Sequence, residues 1–289
     1  CSGAAHGGAW GLARVLRLEH AALRTQSSDL STRAIAAAPC TLAPTTETET
    51  AWGGEERFVA RLRVCSTAST FNGVSAGGVY TITGGLGGLG VRAAELLVKG
   101  GASQVLLASR SGRVARDGSR PAAQLQSLGN AAVATVCDSA TADDMNALVR
   151  PNLLAGVLHA AGAGDKGLLI QLEAQRAEWL CASKALGASH LQSATAVAPL
   201  EACVLFSSVG SAIGNVGQAN YAAANACLDA HALSRRTSGT AACSVQWPLV
   251  GGAGMGAAAF AAVRERQVVI AGLAGISLEE YAAWLGAQL

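Results

Sequence analysis

Residues 79–98, VYTITGGLGGLGVRAAELLV, decide the fold. Residues 79–83 form a short β-branched run and read as a strand. Residues 83–90 are a glycine turn, and the apolar stretch to Val98 reads as a helix closed by Gly100 and Gly101. Glycines placed this way allow a tight turn, let the backbone approach a pyrophosphate and let the helix pack close to the strand. The helix N-terminus then offers its free N–H groups to the anion. A glycine cluster alone is weak evidence in a chain with 35 glycines. Here it follows a strand and opens a helix, the context a nucleotide-binding turn requires.

The same alternation runs outward from this turn. Residues 104–108 read as a second strand, followed by Ser109, Arg110, Ser111 and Gly112. An NAD site places an acidic residue about 20 residues on, against the ribose 2′-hydroxyl. No carboxylate stands there, and Arg110 is suited to a 2′-phosphate, so NADPH is expected over NADH. Residues 133–137 read as a strand followed by Asp138, and Thr141 with Asp144 has capping-box spacing before a helix to Arg150. A strand at 155–159 runs into His159, Ala160, Ala161 and Gly162, and residues 171–192 read as one long helix carrying Lys184.

The apolar run 204–206 ends a further strand at Ser207 and Ser208. The next helix carries Tyr221 and Asn225, four residues apart and hence on one face. A hydroxyl at a strand end facing a helical tyrosine suggests carbonyl chemistry. A strand at 242–246 and a glycine-rich segment at 247–256, read as a mobile lid, come next. Ser277 and Glu280 cap a final helix at 278–289. Repeated strand–helix units predict an α/β chain: a Rossmann-like, doubly wound parallel sheet with helices on both faces.

Residues 1–75 read differently. They hold an amphipathic helix at 10–20, a loop at 36–54 and a strand at 57–64 with one exposed basic face. They are expected to form a truncated structural subdomain ahead of a catalytic subdomain, 76–289. The first residue is Cys1, so the chain reads as a piece of a longer polypeptide. Its net charge of +2 argues for neither nucleic acid nor a membrane surface as partner. No apolar run approaches the roughly 20 residues that span a bilayer. The eight cysteines are scattered singly and the five histidines do not cluster, which points to an intracellular, reducing, cytoplasmic setting and to no metal site.

The pattern Thr83-Gly84-x-x-x-Gly88-x-Gly90, with the later serine and tyrosine, resembles the short-chain dehydrogenase/reductase superfamily. Most members carry Tyr-x-x-x-Lys, whereas Tyr221 is followed by Asn225, and the missing amine is found upstream at Lys184. That exchange resembles the ketoreductase domains of modular polyketide synthases and animal-type fatty acid synthases. HAAG (159–162), SRSG (109–112) and FSSVGSAIGNVGQANYAAAN (206–225) are similar to the same family.

The resemblance implies reduction of a β-ketoacyl thioester by NADPH, with the thioester carried on the phosphopantetheine arm of an acyl carrier protein. Neighbouring domains of one multienzyme would be further partners. It implies Tyr221 as proton donor, Ser208 as hydrogen-bond donor to the ketone oxygen, Lys184 as the cation that lowers the tyrosine pKa and contacts the nicotinamide ribose, and Asn225 as support for a proton relay. Strand alternation sends Ser207 and Ser208 to opposite faces, and the family pattern picks Ser208. The implied cofactor-binding residues are Thr83, Gly84, Gly85, Leu86, Gly87, Gly88, Leu89 and Gly90 at the phosphates, Ser109 and Arg110 beyond the second strand, and Asp138 with Ser139 near the adenine. His159, Ala160, Ala161 and Gly162 complete the set on the nicotinamide side, together with Lys184 and Tyr221. His159 itself reads as packed at its strand end rather than catalytic.

The match departs at two markers of alcohol handedness. A Leu-Asp-Asp triplet is replaced by Gly164, Asp165 and Lys166, and a tryptophan eight residues before the tyrosine is replaced by Ile213. Handedness is therefore open. Pro248 also stands where the family more often has glycine. Two other readings keep the same residues: a reductase-inactive domain serving structure or epimerisation, and a stand-alone reductase of small ketones or sugars.

Overall fold

The structure is a computed structural model, which describes residues 4–30, 46–53, 56–63, 75–114, 119–150, 152–257, 260–261 and 275–289. Its centre is a six-stranded sheet, all neighbours parallel. Among the described residues three small strands precede it: β1 (Ser27–Leu30), β2 (Glu49–Gly53) and β3 (Glu56–Phe58). The central strands are β4 (Val79–Thr83), β5 (Gln104–Ser109), β6 (Ala132–Val136), β7 (Leu154–His159), β8 (Ala202–Ser208) and β9 (Cys243–Trp247), in the order β6-β5-β4-β7-β8-β9. The chain runs outward from β4 in one direction, then returns to β4's other edge with β7. Ligands of such sheets lie beyond the strand carboxyl ends at this reversal. The expected doubly wound sheet is present.

The helices are α1 (Ala4–Glu19), α2 (Gly88–Lys99), α3 (Ser119–Ser127), α4 (Ala142–Val149), α5 (Ala174–Cys181), α6 (Gly187–Ala194), α7 (Val209–Ile213), α8 (Ala219–Thr237) and α9 (Leu278–Gly286). Strand β4 is covered on both faces, with Tyr80, Thr81, Ile82 and Thr83 all buried. That is the burial expected of a central parallel strand. One core cluster packs α2 and α9 against the sheet through Leu97, Leu107, Val204, Phe206 and Leu285. A second, with Met145, Leu148, Leu191 and Leu228, fills the opposite face. The Tyr281 hydroxyl donates to the Leu89 carbonyl at 2.9 Å, fastening α9 to the first turn of α2.

Helix α1 packs along α8. A Cβ on Gly11 would lie 2.4 Å from the Ala222 carbonyl oxygen, and one on Gly7 2.4 Å from that of Ala226. Backbone therefore meets backbone along this interface, which is why small residues line both sides. Arg14 forms an ion pair with Glu49 of β2 and also donates to the Ser211 carbonyl.

Several expectations are corrected. The helix expected at 10–20 begins at Ala4, because docking on α8 outweighs the low helix propensity of Gly7 and Gly8. Within the loop expected at 36–54, residues 49–53 are strand β2; residues 31–45 and 54 lie outside the described residues. The strand expected at 57–64 is only β3, three residues long. Arg61 pairs with Glu47 instead, and Val64 lies outside the described residues. The Thr141 side chain makes no capping bond; Asp144 Oδ2 accepts from the Asp138 N–H at 2.8 Å. The Ser277–Glu280 capping box forms as expected. The single helix expected at 171–192 is α5 and α6 joined by a π turn, Ala182–Leu186.

Candidate active site

The glycine turn joins β4 to α2 through three close approaches. Gly84 has φ +68°, and a Cβ there would lie 2.7 Å from the Ala160 carbonyl oxygen. A Cβ on Gly85 would lie 2.9 Å from Leu107 Cα, and one on Gly90 2.6 Å from Gly85 Cα. The turn is thus wedged between β5, the end of β7 and its own helix. Gly87 is the N-cap of α2 and supplies no side-chain cap, so the first N–H groups of α2 are left for a ligand. Leu86 turns its side chain into the core, leaving backbone to face the crevice. The donor set fits the pyrophosphate of a dinucleotide. Ala253 and Gly254 lie against this turn, since a Cβ on Gly88 would be 2.7 Å from Gly254 N and 2.9 Å from Ala253 Cβ.

Arg110 stands exposed just past β5, and Ser109 Oγ accepts from the Gly112 N–H at 3.1 Å. Asp138 Oδ1 accepts from Ala140 N at 3.0 Å. Ser139 is buried, and its hydroxyl donates to the Ser183 carbonyl, so this side chain is committed to the π turn rather than to the crevice.

His159 is fully buried. Its Nε2 lies 3.0 Å from the Lys184 carbonyl oxygen and its Nδ1 2.7 Å from Thr83 Oγ1. A carbonyl only accepts, so Nε2 carries the proton and the threonine hydroxyl donates to Nδ1. Burial is the main cause that lowers its pKa to about 4, and the ring is neutral at pH 7. Both ring nitrogens are taken, so the His159 side chain offers nothing to a cofactor; it binds the end of β4 to the π turn.

That π turn carries Lys184, which is 3% exposed. A π turn inserted in a helix commonly marks a functional position. Here it brings Nζ to 3.0 Å from the Phe206 carbonyl oxygen and 5.7 Å from the centre of the Tyr221 ring. A Cβ on Gly162 would lie 2.6 Å from Lys184 Cε, so only glycine leaves room for the lysine stem. Burial lowers the Lys184 pKa to about 8, with the charge of Asp229 acting the other way.

Ser208 ends β8 and caps α7, accepting from the Gly210 N–H at 3.2 Å. Ser207 points the other way into the core, donating to the Asn225 carbonyl at 3.2 Å. Tyr221 and Asn225 share one face of α8, and Asn225 Nδ2 donates to the Tyr221 carbonyl at 2.8 Å. Asn225 is fully buried, and its Oδ1 has no partner among the described residues. Burial raises the Tyr221 pKa, while the Ser208 hydroxyl and the Asn225 side chain pull it down. Burial is the largest of these causes, so the net direction is up. The structure brings Lys184, Ser208, Tyr221 and Asn225 together at the carboxyl ends of β7 and β8.

Sequence reasoning missed Asp229, one further turn along the same face of α8. Its carboxylate accepts from Ser211 Oγ and Ser244 Oγ at 2.6 Å and from Gln246 Nε2 at 2.8 Å. The i, i+4, i+8 spacing of Tyr221, Asn225 and Asp229 was the available signal. Asp165 was also underread. Its Oδ2 accepts from Asn220 at 2.7 Å and its Oδ1 from Arg176 at 2.6 Å, and these bonds, led by Arg176, lower its pKa.

The chain matches the family model described as "KR domain" over residues 78–252. It is 39% identical over 218 residues to the spectinabilin polyketide synthase system protein NorB of Streptomyces orinoci, covering 73% of this chain and 10% of that protein. It is 36% identical over 223 residues to the polyketide synthase ThaG of Burkholderia thailandensis, covering 73% of this chain and 4% of that protein. Among solved structures it superposes with TM-score 0.86 on A-type ketoreductases from a modular polyketide synthase, at 34% identity, covering 98% of this chain and 62% of the other. The first ketoreductase of the tylosin polyketide synthase gives TM-score 0.79 at 34% identity, with 97% and 62% covered. The chain thus spans only a small part of the curated relatives it matches. It belongs to the KR domain family, the ketoreductase domains of polyketide synthases.

Proposed function

We propose that this domain catalyses the NADPH-dependent reduction of a β-ketoacyl thioester to the β-hydroxyacyl thioester, the chain being carried on the phosphopantetheine arm of an acyl carrier protein. Residues 76–289 form the catalytic unit, and residues 1–75 are a truncated structural subdomain serving it within a larger multienzyme. The observation that carries the reading is the convergence of Ser208, Tyr221, Lys184 and Asn225 beside an uncapped dinucleotide turn. Free, buried cysteines such as Cys203 and Cys227 suit a reducing, intracellular setting.

The cofactor, when bound, supplies the hydride. The α2 N-terminus with Gly85, Gly87 and Leu89 would hold its pyrophosphate, Arg110 the 2′-phosphate, Asp138 the adenine side, and Ala160, Ala161 and Gly162 the nicotinamide side. The chain's own task is the ketone oxygen. Ser208 Oγ already accepts from Gly210, so its proton is available to donate to that oxygen. Tyr221 delivers its phenolic proton to the developing alkoxide, which then leaves as the alcohol. The Lys184 ammonium beside the ring stabilises the phenolate left behind. The unmet Oδ1 of Asn225 supports a relay that returns a proton to Tyr221.

The test is NADPH oxidation with a β-ketoacyl thioester. Wild type is active, and Tyr221→Phe loses about 10³-fold in kcat while keeping NADPH affinity. Arg110→Ala weakens NADPH but not NADH. A Tyr221→Phe protein with full activity refutes the reading.

A further inference from the structure

The two carboxylate oxygens of Glu19 hold backbone N–H groups from two different loops. Oε2 accepts from Leu169 N at 2.6 Å and Oε1 from Gly217 N at 2.7 Å. These loops run directly from the catalytic residues. The first leaves β7 and passes Gly162 against Lys184, then Gly164 at 3.8 Å from Met255 Sδ for a Cβ placed there. It continues through Asp165, bonded to Asn220, and Gly167, whose N–H donates to the Gly217 carbonyl at 2.9 Å. The second loop leads into α8 and reaches Tyr221 four residues after Gly217.

The anchor of this clamp is stiff. Glu19 is the last residue of α1, whose glycines bring its backbone against α8 and whose Arg14 and Arg17 pair with Glu49. A carboxylate suits the task because it is acceptor-only at both oxygens. A glutamine would keep one acceptor and turn an N–H₂ against the second backbone N–H.

We infer that Glu19 is a positioning residue: it fixes the spacing between the loop that follows β7 and the start of α8, and so the seat of the acyl chain beside Tyr221. This rests on the ketoreductase reading above. The N-terminal segment thereby contributes to substrate fit, not to packing alone.

The test compares Glu19→Gln and Glu19→Ala with wild type in the full chain. A β-ketoacyl N-acetylcysteamine thioester serves as substrate, with NADPH titration, product enantiomer ratio and amide exchange as further readouts. KM for the thioester is expected to rise about tenfold, the effect of one charge-assisted hydrogen bond. NADPH affinity stays unchanged, the enantiomer ratio falls, exchange at Leu169 and Gly217 quickens, and Glu19→Gln is milder than Glu19→Ala. Unchanged KM and enantiomer ratio in both variants overturn the inference, as does a uniform loss of NADPH affinity, kcat and Tm. A wild-type protein that binds NADPH but reduces no thioester overturns the ketoreductase reading instead. Exchange then decides the clamp, and unchanged rates at Leu169 and Gly217 remove it.

Discussion

Lys184 Nζ lies 5.7 Å from the centre of the Tyr221 ring, held there by a 3.0 Å bond to the Phe206 carbonyl of β8. A nearly buried ammonium is thus kept beside the phenol by the strand that also presents Ser208. The position is costly. Burial lowers the Lys184 pKa from 10.5 to about 8. The folded protein therefore binds this proton less tightly than the unfolded chain. Stability from this group is complete above pH 10.5 and falls as pH drops through about 8.

Replacing Lys184 by methionine removes that cost together with the catalysis. Nucleotide-free Lys184→Met is expected to exceed wild type by about 3 kcal/mol at pH 7, narrowing to about 1 kcal/mol at pH 10. Urea unfolding at the two pH values measures the gap. A gap that does not narrow contradicts the buried-cation account. Ketone reduction falls by about 10³-fold in the same variant.

The sheet was legible because each βα unit declares itself twice, by an apolar run and by a glycine or serine turn. The predicted strands at 79–83 and 104–108 fall within a residue of those observed. What stayed hidden depends on contacts distant in sequence. The π turn at Ala182–Leu186 has almost no local signature; it is held by the His159 and Ser139 bonds to its backbone carbonyls. Gly187 is the one local sign, since a Cβ there would come within 3.0 Å of His159 and Ser139. The Thr141–Asp144 box did not form: the Thr141 N–H donates to the Asp138 carbonyl, and Asp144 accepts from the Asp138 N–H. Glu19 read as an ordinary helix-end charge, because its partners lie 150 and 198 residues away.

His159 should set an acid limit on stability. Its folded pKa, about 4, lies below the unfolded 6.5, so its stabilising effect is complete above pH 6.5 and is lost as pH falls toward 4. His159→Gln keeps one donor and one acceptor for Lys184 and Thr83 but cannot titrate. Between pH 7 and pH 5 wild type is expected to lose about 2 kcal/mol more than the variant in urea unfolding. Parallel losses in the two proteins would remove His159 from the acid transition.

Two glycines, each meeting an atom at 2.6 Å if given a Cβ, separate folding from chemistry. At Gly90 the obstacle is the Gly85 backbone, which cannot give way without opening the turn between β4 and α2. Gly90→Ala is expected to cost about 2 kcal/mol of stability and to weaken NADPH binding. At Gly162 the obstacle is Lys184 Cε, near the end of a flexible side chain. Gly162→Ala should fold with a loss under about 1 kcal/mol, yet push the ammonium from its place beside Tyr221. Reductase kcat/KM then falls by about tenfold or more, because small displacements of a reacting group are expensive. Thermal unfolding and steady-state kinetics on the two variants decide the matter. If Gly162→Ala loses stability as Gly90→Ala does and keeps its kcat/KM, the Lys184 stem is not what fixes glycine at position 162.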